Sequence, residues 1–228
     1  MVEKIWADKY APGTPLEIDV SKYNSIIEVF EESCRRFADR PAYSNMGVTI
    51  TYGQLDRLSA QFAAFLQNYT TLKPGDRIAV QMPNLIQFPV VVFGAMRAGI
   101  IVVNTNPMYT AREMEHQFND SGAKAIVALA NFGNLLQEVL PKTKIKHVII
   151  TEVADMQKTP KRQIMNFVIK RVKKMVPAFD IPNAVPFVKA MSLGKRSVSK
   201  GNYEATREDI AVLQYTGGTT GVAKGAML

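Results

Sequence analysis

Apolar and polar positions along this chain recur with two different periods. Helical spacing follows three capping-box sequences. Ser25-Ile26-Ile27-Glu28 opens a helix to about residue 38, with Ile26, Val29, Phe30, Cys34 and Phe37 on one face. Thr51-Tyr52-Gly53-Gln54 opens a longer one carrying Leu55, Leu58, Phe62, Phe65 and Leu66, and Thr110-Ala111-Arg112-Glu113 opens a third that Gly122 closes. Shorter helices are predicted over 89–98 and 134–140. Strand-like runs alternate with these helices. Residues 43–45 and 48–51 flank Met46-Gly47, a hairpin signal, and further strands are predicted over 77–82, 100–104, 125–130, 147–150 and 210–215. Buried strands alternating with helices predict an α/β fold, a mostly parallel sheet with helices on both faces. Residues 151–205 break the rhythm and read as an insertion.

Composition narrows the class. At 228 residues, with 47% hydrophobic and 21% charged, the chain is long and apolar enough to bury a core, which excludes a disordered or low-complexity protein. A single cysteine, Cys34, excludes a disulfide framework, and its place on the first helical stripe makes it a packed thiol. Two histidines, His116 and His147, are too few for a thiolate–imidazole zinc cluster. His116 also lacks the two-histidine helical spacing of zinc proteases, so both histidines are read as structural or solvated. The first residues, Met1-Val2-Glu3-Lys4, hold no export-signal core, so a reducing, cytoplasmic location is expected. The most apolar stretch, 85–103, contains Gln87, Pro89, Arg97 and Gly99. It reads as a buried helix running into a buried strand, not a membrane span.

The formal charge of +8 is unevenly placed. Lys158, Lys161, Arg162, Lys170, Arg171, Lys173 and Lys174 lie within 157–176 with no acid among them, and without them the chain is nearly balanced, at 21 basic to 20 acidic residues. Thr159-Pro160 fits an N-cap and first helical position, and Val176-Pro177 a stop. On a helical wheel Ile164, Met165, Val168, Ile169, Val172, Met175 and Val176 fall on one arc. Lys170, Lys173, Lys174 and Arg162 fall opposite, together with an exposed Phe167. Two readings stay open: a surface helix packing its apolar face on the domain, or one lying on an anionic membrane through Lys161, Arg162, Phe167, Lys170, Arg171, Lys173 and Lys174. No nucleic-acid motif accompanies the charge, so nucleic acid is not expected as a partner.

The chemistry concentrates in Gln214-Tyr215-Thr216-Gly217-Gly218-Thr219-Thr220-Gly221-Val222-Ala223-Lys224-Gly225, directly after a predicted strand. Glycines let backbone N–H groups crowd around an anion, threonines add hydroxyl donors, and Lys224 adds a positive charge. That suits a polyphosphate. No Ser or Thr follows Lys224, so the run is not a Walker A loop, nor is it the dinucleotide glycine pattern. Composition alone would also allow a flexible Gly/Thr linker.

The order of the residues resembles the phosphate-loop signature of the acyl-adenylate-forming superfamily, which includes acyl-CoA synthetases, luciferases and peptide-synthetase adenylation domains. Thr51-Tyr52-Gly53-Gln54-Leu55 is similar to the family's first core motif, and Met96-Arg97-Ala98-Gly99-Ile100-Ile101-Val102-Val103-Asn104 with Pro107 to its second. The runs 104–110 and 116–122 and the Val222-Ala223-Lys224 form of the loop resemble bacterial long-chain-fatty-acid–CoA ligases. The resemblance runs from Trp6 to Leu228.

It implies the N-terminal portion of the large domain of an adenylate-forming enzyme, with 1–228 inside one AMP-binding domain and 151–205 a basic amphipathic insertion. It further implies that a fatty carboxylate attacks Mg-ATP to give an acyl-adenylate and pyrophosphate, after which coenzyme A displaces AMP. Long-chain fatty acid, ATP and coenzyme A are then the small-molecule partners. Tyr215, Thr216, Gly217, Gly218, Thr219, Thr220, Gly221 and Lys224 would bind the ATP phosphates, with Thr216 on the magnesium side. Family members continue well past the loop, carrying the adenine contacts, a magnesium-binding glutamate and the catalytic lysine. This chain stops at Leu228, reads as an N-terminal fragment inactive alone, and offers no catalytic residue. An adenylating relative for another carboxylate and a non-catalytic membrane-docking module are the alternatives. Peripheral association with the inner face of the cytoplasmic membrane is expected, and a homodimer is left open.

Overall fold

A computed structural model describes residues 4–216 and 223–228. The capping sequences act as read. Helix α1 (Ile26–Arg36) starts where the Ser25 hydroxyl accepts the Glu28 N–H at 3.2 Å, and the Glu28 carboxylate accepts from Asn24 N–H, one residue before the cap. Helices α2 (Tyr52–Tyr69) and α4 (Ala111–Ser121) have both arms of the box, and Gly122 closes α4 at φ 65°. Strands β1 (Pro41–Asn45) and β2 (Val48–Thr51) form the expected hairpin. Met46 and Gly47 both take positive φ at the turn, as a two-residue hairpin loop requires.

The main sheet has seven strands: β3 (Arg77–Gln81), β4 (Ile101–Asn104), β5 (Ala125–Leu129), β6 (His147–Thr151), β7 (Val185–Pro186), β8 (Val212–Thr216) and β9 (Lys224–Met227). Their order is β7-β6-β5-β3-β4-β8-β9, parallel throughout except for the antiparallel β8–β9 pair. Side chains alternate between two cores, as the period of a strand dictates. Ile78, Val80, Val102, Ala125 and Val127 face α1, α2, α3 (Gln87–Arg97) and α7 (Phe187–Arg196). Ala79, Val103, Ile126 and Ala128 face α4 and α5 (Gly133–Val139). The apolar stretch 85–103 is α3 leading into β4, both buried. Among the described residues no helix is long and apolar enough to cross a membrane.

Helices α2 and α3 pack closely because Gly94 faces α2. A Cβ there would sit 2.8 Å from the Ser59 carbonyl oxygen and 2.9 Å from the Phe62 side chain. The Arg97 side chain, 5% exposed, is buried between these helices and α1. It pairs with Asp56, reaches Glu31 at 3.5 Å and lies over the Phe30 ring. Cys34 is buried beside it, and burial pushes its thiol up to about 11, too high for a nucleophile at neutral pH.

Some details depart from the sequence reading. On α1 it is Ile27, Phe30 and Cys34 that are buried, while Ile26 and Val29 are exposed and line a cavity under the N-terminal segment. The basic helix α6 (Lys161–Phe167) starts one residue late. Pro160 is its N-cap and Thr159 makes no cap bond; instead the Lys158 carbonyl accepts the Arg162 N–H. It continues as a π turn over Val168–Val172, not as far as Val176. A π turn adds about one residue per turn, so a single 100° wheel misplaces the residues beyond it. Ile164, Val172 and Met175 are exposed, and no residue of the segment is fully buried.

Candidate phosphate-binding site

Helix α3 lies on one face of the sheet and α4 on the other, so the connections leaving neighbouring strands β3 and β4 diverge. In open α/β sheets ligands bind at such a switch point, beyond the carboxyl ends of the strands. Gln81 and Asn104 end β3 and β4 there, and among the described residues the buried side-chain carbonyl oxygens of both find no hydrogen-bond partner. The Asn104 amide donates to Gln214 Oε1 at 3.0 Å, tying β4 to β8, and Gln117 on α4 donates to the Asn104 carbonyl at 2.9 Å. Strand β8 thus brings Gln214, Tyr215 and Thr216, the residues at the head of the glycine–threonine run, beside β4.

Two of the residues named from sequence meet directly. Thr216, the last residue of β8, and Lys224, the first of β9, are cross-strand partners, and both are exposed. Tyr215 pairs with Gly225, whose missing side chain is needed, since a Cβ would lie 2.9 Å from the Tyr215 ring. Gly217, Gly218, Thr219, Thr220 and Gly221 lie outside the described residues.

Helix α4 holds both flanks of the run. The Tyr215 hydroxyl donates to the Asp120 carboxylate at 2.5 Å. Burial, and then this bond, raise the Tyr215 pKa far above that of a free phenol, so the hydroxyl stays a donor. His116, one turn earlier on α4, bonds the Ala223 carbonyl through Nε2 at 3.1 Å; a carbonyl only accepts, so Nε2 carries the proton. Sequence reasoning left His116 without a role at the site and did not single out Asp120. Their i, i+4 spacing was the available signal, but its target could not be known before β8 and β9 were placed.

The other titratable candidates lie elsewhere. His147 accepts the Thr71 N–H at 3.2 Å, and burial lowers its pKa, which fits a neutral structural ring. Among the described residues no group of three or more His, Cys, Asp or Glu side chains could hold a metal ion. Thr216, named from sequence for the magnesium side, stands exposed at the end of β8 and offers one neutral hydroxyl. A cavity of about 780 Å³ lies under Ile18, Tyr23, Ile26 and Tyr203 at the opposite, amino-terminal ends of the strands, far from this chemistry.

Comparison with known proteins bears on the family and the fold. The sequence profile of the family described as "AMP-binding enzyme" matches residues 30–228. The chain is 49% identical over 227 residues to a long-chain-fatty-acid–CoA ligase of Salmonella typhimurium and 51% identical over 228 residues to one of Haemophilus influenzae. Each alignment takes in 100% of this chain and 40% of the relative, so the chain spans about two fifths of the length of these relatives. Among solved structures, an anthranilate CoA ligase bound to anthranoyl-AMP superposes with a TM-score of 0.72 at 17% identity, over 90% of this chain and 34% of that one. A long-chain-fatty-acid-CoA ligase from Archaeoglobus fulgidus superposes with a TM-score of 0.66 at 20% identity, over 90% and 36%. At those identities the structures speak for the fold alone. With a parallel sheet of that architecture and a family match over most of its length, the chain belongs to the AMP-binding enzyme family.

Proposed function

We propose that this chain is the N-terminal part of the adenylation domain of a long-chain fatty acid–CoA ligase, with 151–205 as its basic amphipathic insertion. The single observation that carries the site is the pairing of Thr216 with Lys224 across β8 and β9, where both flanks of the glycine–threonine run stand exposed beside the switch point. The fatty-acid substrate rests on the near 50% identity to ligases named for that acid. In the complete enzyme a carboxylate attacks the α-phosphate of ATP and pyrophosphate leaves. Coenzyme A then takes the acyl group and AMP is released. The difficulty is to bring a carboxylate up to a polyanion. Tyr215, Thr216, Gly217, Gly218, Thr219, Thr220, Gly221 and Lys224 form the phosphate-binding run that offsets charge building on the leaving pyrophosphate. A lysine–phosphate pair at about 4 Å is worth about 1 kcal/mol in water and about 4 kcal/mol at an effective dielectric of 20, so exclusion of water matters as much as the ammonium. Magnesium bound with the nucleotide would neutralise phosphate charge, and Thr216 would offer it a protein-side oxygen. The enzyme works in the cytoplasm, peripheral on the inner face of the membrane where its amphiphilic acid partitions.

Acid-dependent ATP–pyrophosphate exchange by the complete product of the reading frame, across short, medium, long and aromatic acids, tests this reading. Exchange that rises with chain length is expected, and Lys224→Ala lowers it roughly tenfold to a hundredfold. Exchange driven best by an aromatic acid would assign the protein to another adenylating activity. Exchange indifferent to Lys224→Ala would remove that lysine from the site.

A further inference from the structure

An ordinary surface helix turns its apolar stripe to the core and its charges to water. The segment formed by α6 and its π turn half-buries Met165, Val168 and Ile169 but leaves its other apolar side chains in water beside its charges. Ile164, Phe167, Val172 and Met175 are between 55% and 65% exposed. Lys161, Lys170, Arg171, Lys173 and Lys174 are exposed with them, and none belongs to an ion pair among the described residues. Arg162 is half-buried.

The segment is nevertheless docked firmly on its inner side. Asn166 accepts the Ala154 N–H at 2.9 Å and donates to Asp155, and the Asn131 amide donates to the Met175 carbonyl at 2.9 Å. Two acids, Glu152 and Asp155, share a cleft of about 310 Å³ with Arg162, Lys170 and Arg171. Asp155 is occupied by Thr151, the Glu152 N–H and Asn166, and among the described residues neither it nor Glu152 forms an ion pair with a cation of the segment.

Charge decides what covers this face. A second copy would set one block of cations against another. A nucleic acid would meet the cations but give Ile164, Val172 and Met175 nothing apolar to enter. A bilayer with anionic headgroups satisfies both at once, with phosphates for the cations and acyl chains for the apolar side chains. We infer that the face of α6 and its π turn carrying Ile164, Phe167, Val172 and Met175 docks on the anionic surface of a lipid bilayer, with Lys170, Arg171, Lys173 and Lys174 on lipid phosphates. This assignment rests on the peripheral-membrane reading above and adds the surface responsible for it. The helix lies in the plane of the interface, and its apolar side chains enter only the headgroup and upper acyl layer.

Co-sedimentation of the 228-residue chain with vesicles of phosphatidylcholine alone, and of phosphatidylcholine with phosphatidylglycerol, at low and high salt, tests it. Binding to the anionic vesicles that weakens with salt is expected. Each cation near an anionic surface is worth up to about fivefold in partitioning, so the triple variant Lys170→Gln, Lys173→Gln, Lys174→Gln loses on the order of a hundredfold. Phe167→Ser weakens binding at every salt concentration. Lys195→Gln with Arg196→Gln, two exposed cations at the end of α7, leaves it unchanged. All of these side chains are exposed, and an unchanged thermal melt confirms that the variants fold. If the unaltered chain binds neither vesicle, the peripheral reading fails and the surface with it. If it binds anionic vesicles but the lysine and Phe167 variants bind equally well, the surface alone is wrong. Preferential capture by RNA over anionic vesicles would also overturn the assignment.

Discussion

The bond between Tyr215 and Asp120 isolates what α4 contributes to the phosphate-binding run. Tyr215→Phe removes only the hydroxyl, because the ring that Gly225 accommodates is kept. A hydrogen bond to a charged acceptor contributes about 1.5–3 kcal/mol net. Asp120 is exposed, so in the Phe variant water replaces the lost donor and the cost falls to the lower end, about 1.5 kcal/mol. The reciprocal change is dearer. Tyr215 is only 7% exposed, so Asp120→Ala strands a buried phenol with poor access to water, at about 2 kcal/mol. The double variant should cost less than the sum of the two, with a coupling of about 1 kcal/mol. Urea unfolding of the chain, followed by far-ultraviolet circular dichroism, measures all four corners. In the complete enzyme the same variants should raise the KM for ATP more than they lower kcat, since they loosen a flank and touch no reacting atom. Strictly additive costs, or Asp120→Ala milder than Tyr215→Phe, would refute the claim that this bond anchors β8 to α4.

Two further outcomes concern the scaffold. Gly94→Ala gains about 1 kcal/mol of helix propensity but drives a methyl onto the Ser59 carbonyl and the Phe62 Cβ, neither of which can swing away; a net loss of 1–2 kcal/mol, roughly, is expected, and a raised melting temperature would refute it. Asp76 accepts from Lys124 at 2.6 Å and from the Lys73 N–H at 2.9 Å; burial pushes its carboxyl up, but these donors outweigh it and the pKa is lowered. A lowered folded-state pKa stabilises above the unfolded value and is lost as pH falls through the folded one. Asp76→Asn should therefore cost about 1 kcal/mol at neutral pH, with the gap from the unaltered chain closing below about pH 4 in urea midpoints measured against pH. A gap that widens in acid would show that the pair does not hold.

How far the sequence carries depends on whether a feature is local. Capping boxes at Thr51 and Thr110, the left-handed Gly122 and the Met46-Gly47 turn are settled within four residues, and each forms where the pattern places it. Strands β3 and β5 are central and buried on both faces, so the apolar cores Ile78-Ala79-Val80 and Ala125 to Leu129 stand out. Two-residue β7 and the short β9 carry no such run and exist because a neighbour offers hydrogen bonds; no pattern announces them. Ile26 and Val29 fit a helical stripe, but the wall they face is a cavity. On the basic segment the wheel fails at the π turn, which periodicity cannot foresee. Of the site, the run 215–224 was legible through its order of residues, whereas His116, Asp120 and the Asn104–Gln214 bridge depend on contacts across about a hundred positions of sequence.

The seat of β8 beside β4 has a bearing on how the chain folds. Asn104 and Gln214, which join the two strands, are 110 positions apart, whereas β3, β4, β5 and their helices come one after another at short range. Closing so long a segment costs only slowly growing entropy, but it has to be met before any of its contacts give a return. The strand pairs with β4 at just Val102–Val212, Val103–Leu213 and Asn104–Gln214. Folding is therefore expected to nucleate in the hydrophobic interior around β3 and α2, with β8 condensing onto a sheet already assembled. The exposed basic segment between β6 and β7 can then vary in length and charge with little penalty to the nucleus, provided α7 keeps its seat on α2 and Gln214 still returns to Asn104.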